Sequence, residues 1–97
     1  MKKEIKWNSS YMKGIYQKLG FDINKHPLTL FELKNFLKSK KIKILISNVD
    51  GKFTWYGCDL IEDNVFSEDF TVYKSSNDAL ETAVMESACY LNFKLEH

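Results

Sequence analysis

Two neighbouring runs of β-branched and aromatic residues, separated by one dipeptide, constrain the fold of this chain more than any other feature. The runs are residues 42–49 and 52–60, and the dipeptide between them is Asp50-Gly51. Asp-Gly fits the positive φ angles of a two-residue hairpin turn. We therefore predict an antiparallel hairpin, and counting back from its turn places Leu45 opposite Tyr56.

Alternation along the strands divides the side chains of this hairpin between two faces. We expect the apolar face to meet the helices, and it consists of Ile42, Ile44, Ile46, Phe53 and Trp55. The mixed face consists of Lys43, Leu45, Ser47, Thr54, Tyr56 and Cys58. Two interpretations of the mixed face stay open. Either Tyr56 stacks on a base or anchors a protein interface, or the first helix covers this face as a second layer of core.

Three segments show the apolar spacing of amphipathic helices. In the first, residues 8–20, the apolar positions are Met12, Ile15, Tyr16 and Leu19. The second starts at a capping box of Thr29 and Glu32, and its buried stripe is Leu30, Leu33, Phe36 and Leu37. The third starts at a cap in residues 75–78 and runs to Asn92, with a stripe of Leu80, Ala83, Val84, Ser87, Ala88 and Leu91.

The segment between the hairpin and the last helix is expected to hold an acidic loop and a third strand. Residues 61–69 are predicted as the loop, with Phe66 turned inward, and residues 70–73 as a short strand. The chain is therefore predicted to form an α+β fold of two layers, in which the helices pack on one face of a three-stranded, mostly antiparallel sheet. The predicted order of elements is α-α-β-β-β-α.

One domain is expected to cover residues 1–94, because 97 residues are too few for two separate hydrophobic cores. We expect residues 1–7 to be frayed, and Leu95-Glu96-His97 resembles the start of a purification tag. The chain has neither an apolar run of about 20 residues nor the apolar stretch of a signal peptide. These features predict a cytoplasmic protein that does not enter a membrane.

The charges are segregated along the chain. Residues 1–52 hold twelve lysines against four acids, a balance of +8, and the remainder has a balance of −7. All fourteen basic residues are lysines, so the chain lacks the bidentate fork with which arginine binds guanine edges, phosphates and carboxylates. Lysine attracts phosphate as a point charge.

The sequence lacks the residue patterns that support catalysis or cofactor binding. It contains no Gly-x-Ser-x-Gly, no phosphate loop and no dinucleotide-binding glycine motif. We interpret Cys58 and Cys89 as half-buried thiols, and His26 as a surface or capping residue. Four acidic residues lie close together in the sequence, but they lack the ligand spacing of a calcium loop. They are Glu62, Asp63, Glu68 and Asp69. We therefore expect a protein that is not an enzyme and has no cofactor, metal site or small-molecule substrate.

The strongest candidate for a partner site is a lysine cluster at the end of the second helix and the start of the hairpin. It consists of Lys34, Lys38, Lys40, Lys41 and Lys43, and Tyr56 on the mixed face is a further candidate. Several positive charges gathered in one place could follow a phosphate backbone. The alternative is a solvated basic helix end, where lysines suit the helix dipole.

The element order from Thr29 to Asn92 resembles that of double-stranded-RNA-binding domains, and the alanines of the last helix resemble the packing side of theirs: Ala79, Ala83 and Ala88. The resemblance implies phosphate binding by lysines at the start of that helix. Here the matching residues are Ser75-Ser76-Asn77-Asp78-Ala79-Leu80-Glu81, and an acidic helix start repels RNA. The same closing portion resembles the partial form of this fold in HicB-type antitoxins, and small proteins of phages and mobile elements.

Charge segregation and the lack of catalytic motifs together favour a non-catalytic binding module that engages a protein or itself. A basic half and an acidic half on one molecule could pair head to tail. The alternative is a nucleic-acid-binding protein of phage, mobile-element or antitoxin type that uses the lysine cluster.

Overall fold

The computed structural model describes residues 10–24, 29–66 and 71–96, which form three helices and one three-stranded sheet. The helices are α1 (Ser10–Lys18), α2 (Leu30–Ser39) and α3 (Ser76–Glu96), and the strands are β1 (Ile42–Val49), β2 (Lys52–Asp59) and β3 (Asn64–Phe66). Both strand pairs are antiparallel, and the order in the sheet is β1-β2-β3. The predicted α+β fold with the order α-α-β-β-β-α is confirmed.

The β1–β2 hairpin has the predicted register, in which Leu45 pairs with Tyr56. Asp50 and Gly51 have φ angles of 53° and 75°, the positive values that a type I′ turn requires. Because side chains alternate along a strand, this turn decides which residues share a face of the hairpin.

Local signals set the helix ends. Thr29 precedes α2, and its hydroxyl oxygen accepts a hydrogen bond from the Glu32 amide at 3.2 Å, as the capping box requires. Ser75 caps α3 in the same way, with the Asp78 amide as donor at 3.1 Å. Gly20 follows α1 with a φ of 101°, a left-handed conformation that commonly ends a helix.

The hydrophobic core lies between the sheet and the helices. α3 contacts β1 and β2, α2 contacts β1 and α3, and α1 packs against α3. The sheet contributes the buried side chains of Ile42, Ile44 and Trp55. All the predicted apolar positions of α1 are buried, and the buried residues of α3 are mostly small: Ala79, Ala83, Val84, Ser87, Ala88 and Leu91. Small side chains allow α3 to lie close to the sheet.

The third strand does not come from the residues predicted for it. Residues 64–66, within the predicted acidic loop, form β3 and pair with β2. Within the described part of the predicted strand, Tyr73 forms an isolated bridge with Phe53. The ring of Phe66 stacks on Tyr90 of α3 with 3.9 Å between centroids. This contact joins β3 to a helix distant in sequence, so local periodicity did not reveal the strand.

The ends of two helices differ from the predicted segments. α1 ends at Lys18, two residues before the predicted segment does, and residues 8 and 9 of that segment lie outside the described residues. α3 continues beyond Asn92 to Glu96, so Leu95 and Glu96 extend the helix. The Lys18 ammonium donates a hydrogen bond to the Glu96 carboxylate at 2.5 Å, which links the last turn of α3 to α1.

The first helix leaves the mixed face of the hairpin uncovered. α1 packs against α3, which lies on the apolar side of the sheet. The interpretation that α1 covers the mixed face as a second layer of core is therefore wrong. Several predictions concern residues outside the described ranges: the frayed residues 1–7, His26, Glu68, Asp69 and Phe70.

Candidate binding surface on the sheet

The side of the sheet opposite the helices is called the outer face here. Its side chains alternate with the core positions along the strands: Lys43, Leu45, Ser47 and Val49 on β1, Lys52, Thr54, Tyr56 and Cys58 on β2, and Val65 on β3. No carboxylate occurs among these described residues, and the two lysines are exposed. The outer face thus combines apolar area with positive charge.

Tyr56 lies near the middle of the outer face. It pairs with Leu45 across the hairpin, and the two residues are 45% and 44% exposed. Lys43 pairs with Cys58, which places Lys43 diagonally next to Tyr56. Diagonal neighbours in an antiparallel pair are about 7–8 Å apart, a distance that a long side chain can bridge. The structure therefore brings two of the predicted site residues, Lys43 and Tyr56, onto one surface.

The other lysines of the predicted cluster belong to α2 or to its connection with β1. Lys34 is half-buried and Lys38 is exposed on α2, whereas Lys40 and Lys41 lie between the helix and the strand. The ammonium of Lys40 lies 5.7 Å from the centroid of the Phe36 ring, a cation–π distance. Because α2 is on the apolar side of the sheet, Lys34 and Lys38 are not part of the outer face.

Lys52 belongs to the outer face but is not a member of the predicted lysine cluster. It pairs with Val49 beside the turn, and it shares a face with Tyr56 because the two are an even number of residues apart on one strand. The predicted register already places Lys52 opposite Val49. The lysine cluster is a group of neighbours along the chain, and Lys52 is separated from it by β1 and the turn.

Asp59, a buried charge, was also missed. It is the last residue of β2, and its side chain is 1% exposed. One carboxylate oxygen accepts hydrogen bonds from the Tyr90 hydroxyl at 2.8 Å and from the Lys94 ammonium. The other accepts from the amides of Ile61 and Glu62 at 3.0 and 3.1 Å. Asp59 therefore joins the end of β2, the turn that follows it, and α3.

Strand alternation carried a signal for this buried charge. Trp55 and Asp59 are four residues apart on β2, so a core position for the tryptophan implies one for the carboxylate. The stripe of α3 carried a second signal, because Lys94 follows the buried Leu91 at helical spacing. Opposite charges at core-facing positions of β2 and α3 indicate an ion pair between Asp59 and Lys94.

The surroundings of Asp59 keep it ionised. Burial opposes its ionisation, but the hydrogen bonds from Lys94, Tyr90 and the two backbone amides outweigh burial and lower the pKa of Asp59 to about 2. The same hydrogen bond with Asp59 raises the pKa of Lys94. A buried carboxylate whose oxygens already accept four hydrogen bonds is a poor general base, so this pair serves the fold.

Both cysteines are half-buried free thiols, as predicted. Burial, and secondly the charge of Glu86, raise the pKa of Cys89, which disfavours its nucleophilic thiolate form. Within residues 10–24, 29–66 and 71–96, no group of three or more His, Cys, Asp or Glu side chains is placed to hold a metal ion.

A groove of about 690 Å³ is lined by residues of α1, the sheet and α3. Three of its aromatic rings contact one another: Phe66 stacks on Tyr90, and it meets Trp55 edge to face with 6.4 Å between centroids. Trp55 is buried, and its indole nitrogen has no hydrogen-bond partner among the described residues. Tyr11 of α1 and Phe93 of α3 also line the groove, and they are 68% and 64% exposed.

Comparison with known proteins identified no relative of this chain. No protein-family model matches it, and no curated protein or solved structure is significantly similar. Among the described residues, no helix is long and apolar enough to cross a membrane. Function is therefore inferred from the surface of the molecule itself.

Proposed function

We propose that this protein is a non-catalytic binding module that engages an acidic protein surface through the outer face of its sheet. The observation that carries the proposal is the exposure of Leu45 and Tyr56 on a face that has lysines and no carboxylate among the described residues. An apolar centre with a polar margin is the usual composition of a protein–protein interface. Tyr56 is its anchor, because tyrosine is enriched among the residues that dominate binding energy.

The size of the outer face indicates a weak, transient complex. An eight-residue strand is about 27 Å long and neighbouring strands are about 4.8 Å apart, so the face covers on the order of 300–400 Å². Interfaces of that size lie at the low end of specific complexes. A dissociation constant in the micromolar range is expected.

Aliphatic residues on the outer face favour a protein partner over single-stranded nucleic acid. Binding of single strands without sequence preference uses several aromatic side chains on which successive bases stack. Tyr56 is the one aromatic residue among the described members of this face, and its neighbours include Leu45 and Val65. Aliphatic side chains pack well against the apolar atoms of a protein surface.

Binding to a defined acidic peptide tests the proposal. The probe is a labelled 20-residue peptide of glutamate and leucine, and its counterpart with glutamine in place of glutamate is the uncharged control. We expect the acidic peptide to bind more tightly than the control and to bind less tightly at 300 mM than at 50 mM salt, because salt screens exposed charges. Tyr56→Ala is expected to weaken binding about tenfold, as for an anchor residue.

Two matched charge reversals locate the site. Lys43→Glu with Lys52→Glu reverses both charges of the outer face and should abolish binding of the acidic peptide. Lys34→Glu with Lys38→Glu makes the same change in net charge on α2 and should leave most of the binding intact. Retention of binding by the first pair, or equal loss in both, would contradict the proposal.

Nucleic-acid binding through the lysine cluster is the second candidate. Its five lysines follow one another from position 34 to 43 with no acidic residue between them, and all but Lys34 are exposed. Binding of a 20-nucleotide oligo-dT that falls steeply with salt and is lost on charge reversal of Lys38, Lys40 and Lys41 would support this candidate. No binding of the oligonucleotide at low ionic strength would exclude it.

A further inference from the structure

We infer that β1 pairs with β1 of a second copy of this chain, so that two sheets of three strands join into one sheet of six. The inference goes beyond the proposed function, because it needs no acidic partner. β1 is the first strand in the order β1-β2-β3, and no described strand pairs with its other side. A strand at the edge of a sheet presents unpaired backbone amides and carbonyls to which another strand can bind.

A bridge on the far side of β2 shows which backbone groups of β1 point away from the sheet. The amide and the carbonyl of Phe53 bond with Tyr73, on the side of β2 opposite to β1. Bonding alternates along an antiparallel pair, so Asn48, which lies opposite Phe53, also has its backbone groups on the side away from β2. The same holds for every second residue of β1, namely Ile42, Ile44 and Ile46.

The second half of this edge is open. Burial decreases along β1, because Ile42 and Ile44 are 1% and 2% exposed, whereas Ile46 is half-buried and Asn48 is exposed. Exposure this low includes the backbone atoms, so the first half of the edge is covered. No described backbone group bonds with the amides and carbonyls of Ile46 and Asn48. Residues 45–49 are called the open edge here.

The open edge lacks the features with which edge strands avoid pairing. Such strands commonly carry a charge, a proline or a bulge. The open edge reads Leu-Ile-Ser-Asn-Val, without a charge or a proline, and its register with β2 continues without a bulge. Leu45 and Val49 are 44% and 65% exposed on the outer face. An uncharged strand with exposed aliphatic side chains suits an uncharged strand as its partner.

One register uses the open edge completely. In an antiparallel pair centred on Ser47, Ile46 lies opposite Asn48 of the second copy, and this pair exchanges two backbone hydrogen bonds. Two-fold symmetry doubles the number of bonds. Leu45 then lies opposite Val49 of the second copy, and the two Ser47 residues face each other. The open edge is therefore complementary to itself, which identifies a second copy of this chain as the occupant.

The helices leave room for this pair. α2 and α3 contact β1, and the covered residues are those at its start. In a pair centred on Ser47, the two copies of Ile44 are six residues apart along the strands, or about 20 Å. Helices pack at about 8–10 Å, so the helices that cover the two strands do not collide. The contact is isologous and uses the open edge of each copy, so the assembly closes as a dimer.

The pair is small, and its effect on the outer face is large. Five paired residues span about 17 Å, so we expect a dissociation constant on the order of 0.1 mM. The two-fold axis of an antiparallel pair is perpendicular to the sheet, so both outer faces lie on the same side. They form one continuous surface of about twice the area.

Sedimentation of the wild type at two salt concentrations is the first test. At 1 mM protein, we expect an average mass that approaches twice the 11.4 kDa of the monomer, at 50 mM and at 500 mM salt, because the paired residues are uncharged. A monomer at 1 mM protein, or a dimer that is lost at 500 mM salt, would overturn the inference. Binding of the glutamate–leucine peptide is measured separately, so failure of the dimer and failure of the proposed function are distinguishable.

Charges placed at Ser47 give a sharper test, because this residue faces its own copy. Ser47→Lys and Ser47→Glu, each alone, should raise the dissociation constant at least tenfold at 50 mM salt, since like charges directly opposite each other repel. Both variants should keep the circular dichroism spectrum of the wild type. An equimolar mixture should form dimers at 50 mM salt, because opposite charges then face each other.

Thr54→Lys is the matched control. Thr54 pairs with Ser47 on β2 and lies on the same face, so this variant adds the same charge one strand further from the edge. The two copies of Thr54 would be three strand spacings apart, or about 14 Å, and dimerisation should match that of the wild type. Equal loss in Thr54→Lys and Ser47→Lys would overturn the inference. Dimers of Ser47→Lys as tight as those of the wild type, or a mixture of the two Ser47 variants that stays monomeric, would also overturn it.

Discussion

At the residue scale, Asp59 connects the end of β2, the turn that follows it and α3. Its carboxylate accepts hydrogen bonds from the turn after β2 and from Tyr90 and Lys94 on α3. A buried charge is tolerated when it is paired and its oxygens are fully used, and removing it leaves the donors without an acceptor. The stability of this fold is therefore expected to depend on the ionisation of Asp59.

Asp59→Asn should lower the free energy of unfolding by about 1–3 kcal/mol at pH 7, because asparagine keeps one acceptor oxygen and its NH2 group faces one of the two pairs of donors without accepting from it. The folded state lowers the pKa of Asp59 from 3.8 to about 2. The carboxylate therefore stabilises the fold above about pH 4, and this contribution disappears as the pH falls from about 4 to about 2. Urea unfolding should show that the difference in free energy of unfolding between the wild type and Asp59→Asn decreases as the pH falls through that range.

Asp50→Asn is the matched control for this pH dependence. It removes an exposed carboxylate from the hairpin turn, where Asn-Gly also fits a type I′ turn. The free energies of unfolding of the wild type and this variant are expected to differ little from pH 7 to pH 3. If the loss of stability caused by Asp59→Asn stayed constant on acidification, the assigned role of the carboxylate would be contradicted.

Gly57 is the second residue at which a substitution is expected to lower stability, because there is no room for a Cβ atom at this position. An added Cβ would lie 2.3 Å from the Phe66 ring, so Gly57→Ala must displace that ring from its stack on Tyr90. We expect a loss of about 1–3 kcal/mol, the usual cost of overpacking, measured by urea unfolding. Phe66→Leu in the same chain should recover part of the loss.

Gly14→Ala provides the contrast to Gly57→Ala. An added Cβ at Gly14 meets no atom within 4 Å, and the residue lies inside α1. Alanine is favoured over glycine in a helix interior by about 1 kcal/mol, so this variant should be more stable than the wild type. Equal effects of the two substitutions would show that the Phe66 ring does not require the glycine.

At the scale of elements, the sequence predicted those parts whose signals are local. The hairpin register followed from Asp50-Gly51, and the start of α2 followed from Thr29 and Glu32. β3 carried no such signal, because three residues are too few for a periodic pattern. Its position depends on Phe66 packing over Gly57 and against α3, a contact between residues far apart in the chain.

The attachment of α1 to α3 gives a prediction at this scale. The Tyr16 hydroxyl donates a hydrogen bond to the Val84 carbonyl at 2.7 Å, and Tyr16 is buried. Tyr16→Phe keeps the ring but loses this bond, so unfolding should require about 1 kcal/mol less free energy in urea titrations. Tyr56→Phe alters an exposed tyrosine and should change stability by less than about 0.5 kcal/mol. Equal changes in both variants would contradict a role for the Tyr16–Val84 bond.

At the scale of the whole molecule, all described elements share one core, so unfolding should be a single cooperative transition. Trp7→Phe leaves Trp55, which is buried between the sheet and the helices, as the one tryptophan. We expect its fluorescence and the far-ultraviolet circular dichroism to change together over the same range of urea concentration. Separate midpoints would show that α1 or another part unfolds independently of the sheet.

The charges that are segregated along the chain also lie on different surfaces of the folded molecule. Lysines are placed on the outer face and on α2, and carboxylates on the exposed side of α3. The sequence predicted the two charged halves, and it offered the five-lysine cluster and Tyr56 as separate candidate sites. The structure places Lys43 on the outer face with Tyr56, and it places Lys34 and Lys38 on the other side of the sheet because α2 packs there.

The sequence by itself determined the hairpin, its register, the helix caps and the stripes that face the core. These features depend on turn geometry, side-chain alternation and hydrogen bonds between residues a few positions apart. The tertiary structure alone decided that α1 packs on α3 and does not cover the mixed face, where the third strand lies and which partners Asp59 binds. Those outcomes depend on contacts between segments distant in the chain, and no local pattern encodes such contacts.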